Sequence, residues 1–271
     1  MKRLYLILII SLICASSDAQ KKFFYNSAAE YSFIKQTDST DKTSKKRMEN
    51  FSLYMGDNSS FFVSNNRINL DTLLQNANFS DIAMLKTLPK ASSNKRILKK
   101  EDVQKLSIYN EFYDKTYHYN DAIDLKWKIL NVHDSLNRMK LRKAETQFRG
   151  RKYIAWYTDE IPASAGPYKF SGLPGLIVKL QDTKNEIEYS MISFRHFKKN
   201  KTLTLAYDQN GPSVSKNEYR ATEESFYSNP IPYMEEQGAF FSEETKRIIK
   251  QKFKNKKKQN SNPIELKDDD L

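Results

Sequence analysis

The alternation of apolar and polar residues is the dominant pattern in the middle of this chain. Residues 123–129 alternate strictly between apolar and charged positions, which is typical of a strand with one buried and one solvated face. The alternation returns in residues 176–181 and 187–191 around a polar turn and predicts a hairpin. Residues 139–148 and 152–158 predict two further strands. Half-buried antiparallel sheet is the natural host for such segments.

The flanks of this region show other patterns. Residues 51–54 and 61–63 predict a hairpin around a turn that contains Gly56. Apolar residues within 71–88 approach helical spacing, and the polar, basic stretch 91–101 is typical of a connector.

The last part of the chain predicts one more strand and a helix. Residues 203–207 favour a strand, and Ser242 followed by two glutamates and three spaced apolar residues predicts an N-capped amphipathic helix. We therefore predict a mainly β (α+β) fold, a curved antiparallel sheet with a helical insertion and a C-terminal helix. A half-barrel is one candidate architecture.

The N-terminus has the organisation of a secretory signal. Lys2 and Arg3 precede the apolar residues 4–13, and small residues at 17–19 predict cleavage before Gln20. The apolar run is too short to span a membrane, and no later run approaches the required length. We expect residues 1–19 to be a signal peptide, residues 20–241 a single β-rich domain, and residues 242–271 a basic helix with a flexible tail.

Cys14 is the only cysteine of the chain and lies within the predicted signal. A lipoprotein anchor at Cys14 is an alternative, but the bulky Ile13 departs from the small residue that such a site needs. Cleavage before Gln20 leaves a mature chain without cysteine, which excludes a thiol nucleophile and a thiolate zinc site there.

The charge of the chain is strongly positive. The formal net charge of +12 becomes +11 without the predicted signal, because that segment carries Lys2, Arg3 and Asp18. Such an excess favours lipopolysaccharide phosphates, anionic lipid or an acidic protein face, and the export signal argues against nucleic acid. Part of the excess lies in residues 246–258, where a solvated basic tail is the simpler interpretation.

A loop rich in proline and glycine joins two of the predicted strands. About 17 residues separate those strands, and long ordered loops often carry function. Neither a Walker spacing nor a dinucleotide fingerprint is present. The loop is therefore either a structural corner or a surface for a partner or ligand, and the residues that would form that surface are Trp156, Pro162, Gly166, Pro167, Gly172, Pro174 and Gly175.

The same residues carry a family resemblance. Trp156, Ile161-Pro162, Gly166-Pro167 and the run from Gly172 to Ile177, which reads GLPGLI, resemble the signature of the GLPGLI family, also labelled the Porph_ging domain family. The resemblance implies an exported protein of unknown function from one Gram-negative phylum. Family members are often encoded near TonB-dependent outer-membrane receptors, and the resemblance supplies no catalytic residues.

Candidate catalytic chemistry is sparse. His133-Asp134-Ser135 contains the residue types of a triad, but neighbours on a strand point to opposite faces. His118 lies among tyrosines and His196 among basic residues, and no zinc or calcium spacing occurs. Asp159 and Glu160 are adjacent in sequence rather than placed across a cleft. We predict no catalytic residues, no metal and no cofactor.

The function that these patterns favour is noncatalytic. We expect an exported envelope protein, periplasmic, outer-membrane-associated or secreted, that binds a protein partner or an apolar ligand such as a lipid or peptide. One alternative is a periplasmic hydrolase with a site assembled from distant strands. Another is a structural accessory of a TonB-dependent receptor. A ligand carrier requires a concave apolar cavity, whereas a hydrolase requires a histidine near a carboxylate and a hydroxyl.

Overall fold

The computed structural model describes residues 22–76, 90–100, 105–112, 115–136, 138–205, 211–236, 238–258 and 262–266. Within these ranges the strands are β1 (Lys22–Gln36), β2 (Lys46–Met55), β3 (Ser59–Ser64), β4 (Arg96–Lys100), β5 (Lys105–Phe112), β6 (Lys115–Ala122), β7 (Lys128–Leu136), β8 (Met139–Phe148), β9 (Arg151–Thr158), β10 (Leu176–Asp182) and β11 (Ile187–Thr204). The helices are α1 (Asn65–Asn76), α2 (Lys216–Ser228), α3 (Ile231–Glu236) and α4 (Glu243–Lys258).

All eleven strands form one antiparallel sheet in the order β6-β5-β4-β3-β2-β1-β11-β10-β9-β8-β7. The first and last strands of the chain therefore pair in the middle of the sheet, with Ala28 opposite Arg195 and Phe33 opposite Tyr189. From this central pair one meander runs outward to β6 and a second runs outward to β7. The prediction of a mainly β, antiparallel fold is confirmed.

The link between the two edge strands shows that the sheet is strongly curved. Only residues 123–127 join β6 to β7, although these strands lie at opposite edges of the sheet. Such a link spans at most roughly 21 Å, whereas a flat sheet of eleven strands would be roughly 48 Å wide. The sheet therefore curls until its edges approach, while β6 and β7 remain unpaired with each other.

Several sequence predictions are confirmed. The hairpin β2–β3, the strands β8 and β9, the hairpin β10–β11 and the C-terminal helix α4 are all present. At the start of α4 the Ser242 hydroxyl accepts a hydrogen bond from the Thr245 backbone N–H at 3.3 Å, as an N-cap should.

Other predictions are wrong in extent. The strand predicted over 123–129 begins only at Lys128, because the preceding residues cross between the sheet edges and Trp127 donates its indole N–H to the Ser171 carbonyl at 2.9 Å. The strand predicted over 203–207 is the end of β11, and residues 206–207 lie outside the described residues. The helix predicted over 71–88 is α1, which starts earlier at Asn65, and residues 77–89 lie outside the described residues.

The connector predicted over 91–101 contains the strand β4. Arg96 made this segment look solvated, yet its side chain is 1% exposed and pairs with Asp71 of α1 at 2.9 Å and Glu111 of β5 at 3.0 Å. Buried arginines need such carboxylate partners. The partners lie 25 and 15 residues away, so a local pattern could not reveal them.

The main core lies inside the curl. Inward-facing side chains from both meanders belong to one buried cluster, which includes Ile108 of β5 and Tyr153 of β9. Helix α2 covers part of this face, and its Tyr219 packs on Tyr119 with ring centroids 4.6 Å apart. In the described part of the chain, no helix is long and apolar enough to cross a lipid bilayer.

Candidate functional site

A cavity of about 670 Å³ lies within the curl of the sheet. Its floor is aromatic: Phe33 stacks on Tyr189 at 4.4 Å between ring centroids, and Phe51 stacks on Phe62 at 5.2 Å. These four residues come from β1, β11, β2 and β3, whose alternating side chains direct them to the concave face. Such a volume lies within the usual range for small-molecule sites, roughly 300 to 1,000 Å³.

Basic side chains stand at one end of the aromatic floor. Lys35 follows Phe33 by two residues and so shares its face of β1. Arg47 of β2 lies directly opposite Lys35 in the strand register, and Lys95 and Arg220 also line the cavity. Like charges placed opposite each other on one face destabilise a sheet. The placement of Lys35 opposite Arg47 therefore sets two positive charges side by side at the cavity.

The charge of Lys35 is the most exceptional feature of this basic group. Among the described residues no carboxylate lies within salt-bridge distance of its ammonium, whereas Lys95 faces Glu223 at 3.8 Å. Burial first, and then the positive charges of Arg47, Arg151 and Lys95, lower the pKa of Lys35 to about 8. At neutral pH this lysine is still mostly protonated, and an acidic group would be attracted to it.

A buried ionic cluster flanks the cavity on another side. Asp121 of β6 accepts from Arg149 at 2.6 Å and from Lys169 at 2.7 Å, and its side chain is 2% exposed. Burial by itself would raise the pKa of Asp121, but Lys169 and Arg149 more than offset it and lower the pKa below its usual range. Asp121 thus fixes two cationic side chains beside the cavity.

Residues 262–266, here called the C-terminal strap, form one wall of the cavity. Residues Pro263 to Leu266 line it directly. Glu265 accepts from Arg149 and from the Tyr168 hydroxyl, each at 2.5 Å, and pairs with Lys169 at 2.6 Å. Burial would raise the pKa of Glu265, but Lys169 and then Arg149 hold it well below its usual range.

The loop over residues 159–175 packs inside the curl. Phe170 is 1% exposed and lies 4.7 Å from the ring of Tyr153 and 5.0 Å from the ring of Phe148. From β4, the Lys99 ammonium donates to the Ser171 hydroxyl at 3.0 Å. The loop therefore joins the two halves of the sheet across their concave face, and it is more than a turn between β9 and β10.

Two glycines of this loop are required by close packing. A Cβ on Gly166 would lie 2.9 Å from the Phe170 carbonyl oxygen and equally close to Cβ of Ile177. A Cβ on Gly175 would lie 2.0 Å from the Thr158 carbonyl oxygen. Any other residue at these positions would force the backbone apart. The glycines of the motif thus allow the loop to approach the strands.

None of the seven predicted binding residues lines the cavity. Gly166, Pro167 and Gly175 are buried and Trp156 is half-buried. The other three are exposed, namely Pro162, Gly172 and Pro174. Their role in binding a partner stays a prediction.

Sequence reasoning missed the cavity residues. β1 was not predicted, although Ala29, Tyr31 and Phe33 alternate with more exposed residues and Lys35 follows at the next position of the same face. That alternation was the available signal for Lys35. No local sequence pattern indicates that Tyr189 and Glu265 line the same cavity as Lys35. Contacts between residues far apart in the chain place them there.

The histidines lie apart from one another. His133 is exposed on β7, and His118 stacks on Tyr109 with ring centroids 5.3 Å apart. His196 Nδ1 lies 2.9 Å from the Ser27 hydroxyl, but no described carboxylate contacts His196. The described residues also contain no group of three side chains that could hold a metal ion.

Comparison with known proteins supports the family resemblance. Residues 86–179 match the family described as "Protein of unknown function (Porph_ging)", and this range contains the Gly172–Ile177 motif. The resemblance inferred from the motif is thereby confirmed. No curated protein sequence matches the chain significantly.

Two solved structures of PNGF-II, in space groups P21 and C2, are similar to the chain with TM-scores of 0.49 and 0.46 and 11% sequence identity in each case. They cover 72% and 70% of this chain. The chain in turn spans about a third of each of those structures, 32% and 31% of their length.

Proposed function

We propose that this chain is a noncatalytic binding protein whose cavity takes a ligand with an aromatic or apolar body and one acidic group. The observation that carries the proposal is Lys35, a half-buried cation opposite Arg47 at the end of an aromatic floor, without a carboxylate partner among the described residues. A ligand anion would relieve this repulsion, and the rings would bury the rest of the ligand.

The chemistry of the lining narrows the ligand class. Tyr119, Tyr189 and Tyr219 line a cavity that a simple acyl carrier would line with aliphatic side chains. Flat or amphiphilic molecules suit such walls better than an unbranched alkyl chain, because aromatic rings stack and hydroxyls hydrogen-bond. The proposed ligand class is therefore an anionic aromatic or amphiphilic molecule.

A pair of fluorescent probes tests the proposal. We expect 8-anilinonaphthalene-1-sulfonate, which is anionic, to bind the cavity, and Lys35→Met to weaken that binding by about tenfold or more, since a charge-assisted hydrogen bond contributes about 1.5 to 3 kcal/mol. Binding of neutral N-phenyl-1-naphthylamine, which has the same aromatic body, should change by less than about twofold because the floor is intact. Fluorescence titration measures both affinities.

The control variant is Lys22→Met, which removes an exposed lysine from the same strand. It should leave both affinities unchanged. Raising the pH from 7 to 9 should weaken binding of the anionic probe to the wild type, because Lys35 loses its proton near pH 8. Equal binding of the anionic probe to the wild type and Lys35→Met, with no pH dependence, would refute the proposal.

Export to the cell envelope is a further part of the proposal. It is supported by the basic start, the apolar residues 4–13 and the small residues at 17–19. N-terminal sequencing of the protein recovered from the envelope fraction of expressing cells should find Gln20 as the first residue. A cytoplasmic protein that keeps Met1 would contradict export, and a lipid-modified Cys14 would establish the anchored alternative.

A further inference from the structure

The C-terminal strap is held in the way that a receptor holds a peptide. Three hydrogen bonds involve its backbone: Arg151 Nε donates to the Pro263 carbonyl at 3.1 Å, the Tyr153 hydroxyl donates to the Ile264 carbonyl at 2.8 Å, and the Leu266 N–H donates to the Arg149 carbonyl at 2.9 Å. Recognition of backbone groups along a short segment is typical of peptide-binding sites.

One end of the strap is recognised through an asparagine. Asn262 is fully buried, and its side-chain amide donates to the Gln36 carbonyl at 3.0 Å. Its oxygen accepts from the Arg151 guanidinium, which Asp182 holds in place at 2.8 Å. Both hydrogen-bonding ends of the amide are therefore used. A residue that lacks either function would leave a buried polar group unpaired.

The other end is recognised through the carboxylate of Glu265. Its partners are a guanidinium, an ammonium and a phenol, supplied by Arg149, Lys169 and Tyr168. Asp121 also pairs with Arg149 and Lys169, so the positions of these two side chains do not depend on the strap alone. A receptor site whose side chains are held by the body of the protein is pre-organised for its ligand.

We propose that this groove, formed by Gln36, Arg149, Arg151, Tyr153, Tyr168 and Lys169, is a binding site for short peptide segments that carry an asparagine three residues before a glutamate. In this structure its occupant is the chain's own residues 262–266. Pro263 suits the site because its fixed φ reduces the number of conformations that the segment loses on binding. The inference goes beyond the proposed function, because it concerns peptides and does not involve Lys35.

Cutting the tether of the strap tests the proposal in the full chain. A specific protease site replaces residues 259–261, which precede the strap, and the purified protein is cleaved after folding. The released tail peptide should remain bound through size-exclusion chromatography. An excess of a fluorescently labelled synthetic peptide that spans residues 262–271 should then replace it, and fluorescence anisotropy measures its dissociation constant.

Variants of the added peptide identify the recognised groups. Replacements equivalent to Glu265→Gln and Asn262→Ala should each weaken binding by about tenfold or more, because each removes partners of buried polar groups. The matched control is Leu266→Ala, whose side chain is 48% exposed and whose contribution is its backbone N–H. Its affinity should change by less than about twofold.

Two results would overturn the proposal. One is a cut tail that no excess of peptide can replace, which would make the strap a fixed part of the core. The other is equal binding of all three peptide variants, which would show that the side chains of the strap are not recognised. Because only the peptide is varied, each arm uses the same folded protein. No cavity probe is involved, so this outcome is independent of the Lys35 experiment.

Discussion

Gly175→Ala is expected to lower the free energy of unfolding by about 3 kcal/mol or more, at the upper end of overpacking effects. The new Cβ would stand 2.0 Å from the Thr158 carbonyl oxygen and 3.0 Å from Cα of Asp159. Both are backbone atoms at the end of β9 and cannot rotate away as a side chain could. Relief would require β9 and β10 to separate beside the core.

The control for this substitution is Gly238→Ala. Gly238 also has a positive φ, of 83°, but nothing lies within 4 Å of its would-be Cβ. Gly238→Ala should lower the free energy of unfolding by about 1 kcal/mol, because it adds only the strain of a left-handed backbone conformation. Urea unfolding of both variants measures the difference. Similar losses for the two would show that the motif glycine serves conformation and not close packing.

Asp121→Asn is expected to destabilise the protein by about 3 to 5 kcal/mol, the cost of removing one partner from a buried ion pair. The neutral amide cannot compensate Arg149, Lys169 and the nearby Lys216, whose ammonium lies 3.4 Å from Asp121. Asp124→Asn is the matched control in the adjoining link, because Asp124 pairs with Lys126 at the surface and is 75% exposed. It should cost less than about 0.5 kcal/mol.

The pH dependence of unfolding gives the same cluster a second signature. Asp121 and Glu265 have lowered pKa values in the folded protein. At a pH between these folded-state pKa values and those of the unfolded chain, the unfolded chain therefore binds more protons than the folded protein. Their contribution to stability is complete above the unfolded pKa values near 4 and is lost as pH falls through the folded ones. Asp121→Asn should therefore show a shallower loss of stability below pH 5. An unchanged slope in urea titrations would contradict this assignment.

The strands that could be predicted from the sequence are those with one clear apolar face. Residues 139–148 and 152–158 form β8 and β9 almost as predicted, and in both strands buried positions recur on one face. β4 could not be predicted because Arg96 is neutralised by residues distant in sequence. Residues 123–127 alternate as a strand does, but they form the link between the sheet edges. Local alternation does not reveal whether a neighbouring strand is available.

The candidate site was less predictable than the fold. The motif from Gly172 to Ile177 carries the family resemblance but lies outside the cavity lining, and its Gly175 serves the packing of the loop on β9. The cavity itself combines side chains from seven of the described strands with residues of α2 and of the C-terminal strap, and their positions in the chain range from 33 to 266. A binding site assembled by curvature of a sheet leaves no compact motif.

The pairing of β1 with β11 has a consequence for how the chain folds. β1 is the first of the described strands to be synthesised, and its partner on one side lies more than 150 positions later, as between Ala28 and Arg195. Contacts of such separation raise the contact order and slow folding, because a long loop must close before they form. Until β11 arrives, the meander from β1 to β6 exposes β1 as an open edge that could pair with other chains. A chaperone that shields this edge would therefore act on the newly made chain more than on the finished protein.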